Sequence, residues 1–154
     1  MHILMICSGN TCRSPLAAAM LKARLSTIPA LDDIDIASAG TGALAGAPAS
    51  EGSYLIAIEH GLDLSSHRAR SLTREQVEGA DLILTMTEAQ ADRVEKLGGA
   101  AKVHTLPAFA RYPDSRREVL DPFGLEVESY REMGEHLEIL LDAVTMRLRA
   151  ERPR

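Results

Sequence analysis

The sequence predicts an α/β fold, a small doubly wound domain with a four-stranded parallel sheet and helices on both faces. Three observations carry this. Short unbroken apolar runs alternate with longer segments of helical period along the chain. The runs end at glycine or polar turn residues, the pattern of strands buried on both faces. The first run, HILMIC (2–7), passes through a glycine-containing turn directly into a helical segment. In such a sheet, ligands collect beyond the carboxyl ends of the strands, where the strand order switches.

HILMIC (2–7) reads as a short buried strand, and SPLAAAMLKARLS (14–26) as a helix with Pro15 in its first turn, where a backbone N–H is not needed. IDIAS (34–38) is a second strand, ended by Gly40 and Gly42. APASEGSYLIAIEHG (47–61) is helical in pattern and stops at Gly61, a suitable C-terminal cap. In LTREQVEGA, Thr73 followed by Gln76 has the spacing of a capping box and predicts a short helix. DLILTM (81–86) is the third strand, TEAQADRVEKLG (87–98) a helix closing at Gly98, and KVHTL (102–106) the fourth strand. PAFARYPDSRREVLDPFG is irregular and charged, and reads as a long surface loop with at most one helical turn. From Val127 to about Arg149 a last helix carries Met133, Leu137, Leu140, Leu141, Val144 and Leu148 on one face. With no repeat, low-complexity run or linker, residues 1–154 are expected to form a single domain.

A chain of 154 residues is long enough to bury a core without disulfides or metals. The net charge of −5 argues against a broad nucleic-acid face, though not against a small anion pocket. Trp is absent and aromatic residues make up 3%, which leaves no platform for stacking bases. No segment has the apolar length of a membrane span, and MHILMIC lacks the basic leader of a signal peptide, so a cytoplasmic protein without membrane contact is expected. Basic residues cluster at His67, Arg68 and Arg70, and at Arg111, Arg116 and Arg117. A solvated loop is the ordinary reading of each cluster, a substrate-facing role the sharper one.

Two cysteines in a cytoplasmic protein make no disulfide framework. Cys7 and Cys12 do not have C-x-x-C spacing, and no further ligand cluster completes a zinc site. Taken as a strand-to-helix loop, Cys7 to Arg13 has another use. Gly9 can take a positive φ, and Asn10 is the next most tolerant residue of that geometry. Successive N–H groups, with the start of the following helix, then form an anion nest from Ser8, Gly9, Asn10, Thr11 and Cys12. Arg13 adds a planar fork matched to two oxygens of a phosphate. Cys7 beneath that phosphate lies in a field that favours thiolate, and Ser14 can donate its hydroxyl to the sulfur. A thiolate so placed is aligned for in-line attack, giving a phosphocysteine. The loop lacks the Gly-Lys-Ser/Thr ending of an ATP site. Asp121, in LDPFG with Pro122 stiffening the segment, is the candidate to protonate the leaving group and then deprotonate water.

CSGNTCRSP near the N-terminus with DPFG near the C-terminus resembles the low-molecular-weight protein tyrosine phosphatase family, over essentially the whole chain. The resemblance implies Cys7 as nucleophile, Arg13 as phosphate clamp and Asp121 as general acid and base. It implies a network of Asn10, Ser14, Ser38 (in SAGT) and His67 (in SSHRARSL) supporting the loop, and Cys12 as a second cysteine able to bond the nucleophile under oxidation. Many members acting on phosphotyrosine have Ile or Leu where Thr11 stands, tyrosine after the Asp-Pro where Phe123 and Gly124 stand, and often Met-Asp where Met86-Thr87 stands. GNTCRSP with LDPFG looks more like the bacterial protein-arginine phosphatase branch. Thr11, shorter and more polar than Ile, and a single aromatic at Phe123 would suit a guanidinium arm better than a phenyl ring. The implied partners are phosphorylated proteins, with no cofactor or metal. Phosphotyrosine hydrolysis is the alternative within the family. A thiol-coupled arsenate reductase would need a cysteine after Cys12, which the chain lacks, and a non-catalytic phosphate-binding module would not need Cys7 or Asp121.

Overall fold

Strand β1 (His2–Cys7) sends its side chains alternately to two buried faces. Ile3, Met5 and Cys7 join one apolar cluster, while Leu4 and Ile6 join a second. Burial on both faces explains why the run is apolar throughout rather than alternating. Each such fully buried aliphatic side chain contributes about 1.5–3 kcal/mol relative to exposure. The computed structural model describes residues 1–114 and 117–152.

Helix α1 (Arg13–Leu25) follows, then β2 (Asp35–Gly40), α2 (Glu51–Glu59), α3 (Arg74–Gly79), β3 (Leu82–Thr85), α4 (Glu88–Val94), β4 (Val103–Thr105), α5 (Leu106–Phe109) and α6 (Val127–Glu151). The strands pair in parallel in the order β2-β1-β3-β4. The chain therefore leaves β1 to one side and crosses to the other after β2, which puts the switch point between β1 and β3. Residues of α1, α2, α5 and α6 pack on the face of Ile3 and Met5; Val77 of α3 and Val94 of α4 pack on the face of Leu4 and Ile6. The six apolar residues expected on the inner face of α6 are all buried.

Several boundaries differ from the sequence reading, each for a tertiary reason. Strand β2 begins at Asp35 and continues to Gly40, because Ala39 and Gly40 pair with Ile6 and Cys7. The helix expected over 47–61 forms only from Glu51 to Glu59. Before it, Ala47 O accepts from Ala69 N–H at 2.8 Å and Ser50 N–H donates to Thr11 O at 2.9 Å, so long-range bonds use the backbone groups a helix would need. The segment read as one helix over 87–98 is α4 followed by a wide π turn over Glu95–Gly99, with Gly98 in the left-handed region at φ 94°. The loop after β4 opens with α5, whose first turn Thr105 caps by accepting from Ala108 N–H at 3.2 Å. The capping box at Thr73 and Gln76 is present, and a second one joins Thr87 to Gln90. Among the described residues no helix is long and apolar enough to cross a membrane.

Candidate active site

The loop from Cys7 to Arg13 sits at the carboxyl end of β1, beside the switch point. Its geometry turns on Asn10, which takes the left-handed conformation at φ 55°, whereas Gly9, the residue expected first in that role, does not adopt it. A non-glycine residue there costs on the order of 1 kcal/mol, and the bonds around Asn10 offset it. Asn10 Nδ2 donates to Ser14 Oγ at 2.8 Å and to Ser38 Oγ at 2.9 Å. Its Oδ1 accepts from Arg70 N–H at 2.9 Å. Its carbonyl lies 2.7 Å from His67 Nε2, which must carry the proton to bond an acceptor. The four residues expected to support the loop are thus joined through one fully buried residue, Asn10, whose side chain holds Ser14 and Ser38 and whose main-chain carbonyl meets His67.

The end of β2 closes the loop from the side. Thr41 N–H donates to Cys7 O at 3.0 Å and Gly42 N–H to Ser8 O at 2.9 Å. A Cβ at Gly40 would stand 2.5 Å from Ser8 O and 3.0 Å from Asn10 N, so the close approach admits only glycine.

Cys7 Sγ lies 2.9 Å from Ser14 Oγ and accepts from Asn10 N–H at 3.3 Å. Arg13 is 4% exposed, which is unusual for a guanidinium. Its Nη1 donates to Val119 O at 2.9 Å, and its Nη2 stands 3.6 Å from Asp121 Oδ2. Its Nε is buried without a protein partner among the described residues. Val119, itself buried, also donates its N–H to Met86 O at 3.1 Å, which pins the Asp121 segment to the end of β3. Asp121 Oδ1 accepts from Phe123 N–H at 3.1 Å in a tight turn.

Cys7, Thr11, Arg13, Asp121 and Phe123 line one pocket of about 430 Å³, together with Ser8, Gly9, Cys12, Gly42, Leu44 and Ala47. A buried thiol, a buried cation and a solvent-reachable carboxylate converge there. The model of the low molecular weight phosphotyrosine protein phosphatase family matches residues 2–154. The chain belongs to that family. It is therefore a cysteine-dependent phosphoprotein phosphatase.

Within the family the chain is similar to proteins of both specificities. It is 36% identical over 152 residues to a protein-arginine-phosphatase of Geobacillus stearothermophilus, with 97% of each chain covered. It is 34% identical over 153 residues to the probable low molecular weight protein-tyrosine-phosphatase EpsP of Ralstonia nicotianae, with 96% of each covered. Among solved structures, a YwlE arginine phosphatase, the C7S mutant with phosphorylated active site serine, superposes with a TM-score of 0.89 at 32% identity, covering 99% of this chain and 98% of that one.

Other neighbours of this phosphatase loop lie outside the motifs CSGNTCRSP, SAGT, SSHRARSL and DPFG. Ser53 Oγ donates to Cys12 O at 3.0 Å, and Cys12 Sγ donates to Ser50 Oγ at 3.1 Å. Tyr130 of α6 places its hydroxyl 3.7 Å from Cys12 Sγ, and burial pushes its phenol up, so it stays neutral. Gln90 donates to Ser8 Oγ. The TxxQ spacing after the third strand is the one available signal for Gln90; Ser50, Ser53, Val119 and Tyr130 meet the loop only through folding.

The basic clusters divide differently. The Arg70 guanidinium lies 3.3 Å from Ser38 O, and Arg68 bonds the carbonyls of Ser65 and His67. Neither lines the pocket, and neither do Arg111 or Arg117. Arg116 lies outside the described residues.

Proposed function

We propose that residues 1–154 form one cytoplasmic phosphatase domain that hydrolyses phosphoarginine side chains of proteins. The observation that carries the mechanism is the convergence of Cys7, Arg13 and Asp121 on one pocket, with Arg13 Nη2 only 3.6 Å from Asp121 Oδ2. In this reading the loop N–H groups and Arg13 hold the phosphoryl oxygens, and Arg13 Nε, which has no partner among the described residues, is a donor for them. Cys7 Sγ attacks phosphorus in line and the P–N bond breaks. Its electron pair passes to the guanidine nitrogen, which takes a proton from Asp121. Water then attacks the phosphocysteine while Asp121 takes its proton, releasing phosphate and the thiolate. Water is the only co-reactant. The phosphorylated serine of the YwlE C7S mutant supports phosphoryl transfer to the matching position here.

Two wall residues favour the arginine substrate. Thr11 puts a hydroxyl where an aliphatic side chain would pack on a ring, and Phe123 is the single aromatic among the described residues that line the pocket. The phosphotyrosine reading draws on that same Phe123, 68% exposed at the mouth and able to stack on a phenyl group. Measuring kcat/KM on one peptide carrying either phosphoarginine or phosphotyrosine separates them. The expected preference for phosphoarginine is about tenfold or more, and Thr11→Ile should shrink or reverse it. A phosphotyrosine preference in the unmodified protein would reject the arginine assignment.

Cys12 is assigned to redox protection. Hydrogen peroxide converts the Cys7 thiolate to a sulfenic acid, and Cys12 displaces water from it to form a disulfide that an added thiol reduces. Both cysteines are free in the structure. Inactivation by peroxide should therefore reverse fully with dithiothreitol, and Cys12→Ala should convert most of it to irreversible loss. Equal recovery in that variant would remove the role.

A further inference from the structure

Gln90 is 3% exposed, and its polar atoms are all engaged at the loop or at the turn before α4. Its Oε1 accepts from Met86 N–H at 2.9 Å and Thr87 N–H at 3.1 Å, and its Nε2 donates to Ser8 Oγ at 3.1 Å. The two ends of an amide are ordinarily hard to tell apart in a structure. Here two backbone donors face one end, so the oxygen must lie there and the nitrogen must face Ser8.

That orientation constrains Ser8. A hydroxyl carries a single proton and accepts through its lone pairs. With Gln90 donating from the protein side, the Ser8 proton is left free, and Ser8 lines the pocket that holds Cys7 and Arg13. The geometry points to Gln90 as a positioning residue that presents the Ser8 hydroxyl as a hydrogen-bond donor to the substrate's phosphoryl group. The inference rests on the phosphatase reading of this pocket. It adds to Arg13 a neutral donor, whose bond to an anionic oxygen is strengthened by the charge.

Four proteins test it: the unmodified chain, Gln90→Glu, Ser8→Ala and the double variant. Glutamate keeps oxygens for Met86 and Thr87 N–H but replaces the donor facing Ser8 by an acceptor, so the Ser8 proton is drawn inward. The readouts are competitive inhibition by inorganic phosphate, and KM and kcat on p-nitrophenyl phosphate. Each single variant should weaken phosphate inhibition about tenfold and raise KM more than it lowers kcat. Gln90→Glu should add little in the Ser8→Ala background.

A full Gln90→Glu effect in that background would mean that its charge repels phosphate directly, and would overturn the assignment. So would phosphate inhibition unchanged in Ser8→Ala. Should Gln90→Glu not fold, Ser8→Thr decides: restored phosphate inhibition supports a hydroxyl donor, and inhibition as weak as in Ser8→Ala rejects it. Failure of the unmodified chain to cleave p-nitrophenyl phosphate or to be inhibited by phosphate would remove the phosphatase reading too. An active protein with additive variants removes only the role of Gln90.

Discussion

Cys7→Ser is expected to lower steady-state turnover by at least about 10⁴-fold, the scale seen when a catalytic nucleophile is lost, while inorganic phosphate still binds within about threefold. The two halves have separate physical origins. Turnover needs an atom that is a strong nucleophile in the first step and a good leaving group in the second; a serine oxygen is neither. Phosphate binding needs the loop, and its shape is set elsewhere. Asn10 spans Ser14, Ser38, His67 and Arg70 without using Cys7, and Gly40 admits the backbone of Ser8 and Asn10. Serine also keeps an acceptor for the Asn10 N–H that now faces the sulfur. Steady-state rates on an aryl phosphate and phosphate titration by calorimetry measure the two. Activity above about a hundredth of the unmodified protein's would reject the cysteine mechanism.

Asp121→Asn should lower kcat/KM on phosphoarginine peptide by about 10²–10⁴-fold, the usual contribution of a positioned proton donor, and on p-nitrophenyl phosphate by less than about tenfold. The quantity matters, because kcat/KM reports steps up to the first irreversible one, here cleavage of the bond to the leaving group. A guanidine nitrogen leaves poorly without a proton, whereas nitrophenolate leaves without one. The fold should tolerate the change. Asp121 has a half-exposed side chain, and asparagine retains an oxygen for Phe123 N–H. Losses of equal size on both substrates would remove Asp121 from proton transfer and leave it as a partner of Arg13.

Much of the site is legible in one short stretch because its chemistry is local. A cysteine, an asparagine tolerant of positive φ, an arginine and a serine at a strand-to-helix junction are brought together by the loop itself. Asp121 is less legible: Asp-Pro is a common turn, and the family resemblance singles it out. What brings it to the pocket is Val119, which bonds both Arg13 and Met86. No spacing in the sequence encodes that bridge. Gln90 falls between these cases, since its capping spacing is readable but its second bond, to Ser8, is not.

The same division runs through the fold. Period and punctuation suffice for the alternation of strands and helices, the inner face of α6 and the capping box at Thr73, because each depends on side-chain direction or hydrogen bonds within a few residues. They also suffice to put Cys7, Arg13 and Ser14 at a strand-to-helix junction. Tertiary contacts decide where β2 ends, why α2 starts only at Glu51, which loop residue takes the left-handed turn, and which neighbours brace the loop. In each case a backbone or side-chain group has a distant partner that competes with, or replaces, its local one. A buried polar group left unpaired loses more than a local preference is worth, so the distant partner prevails.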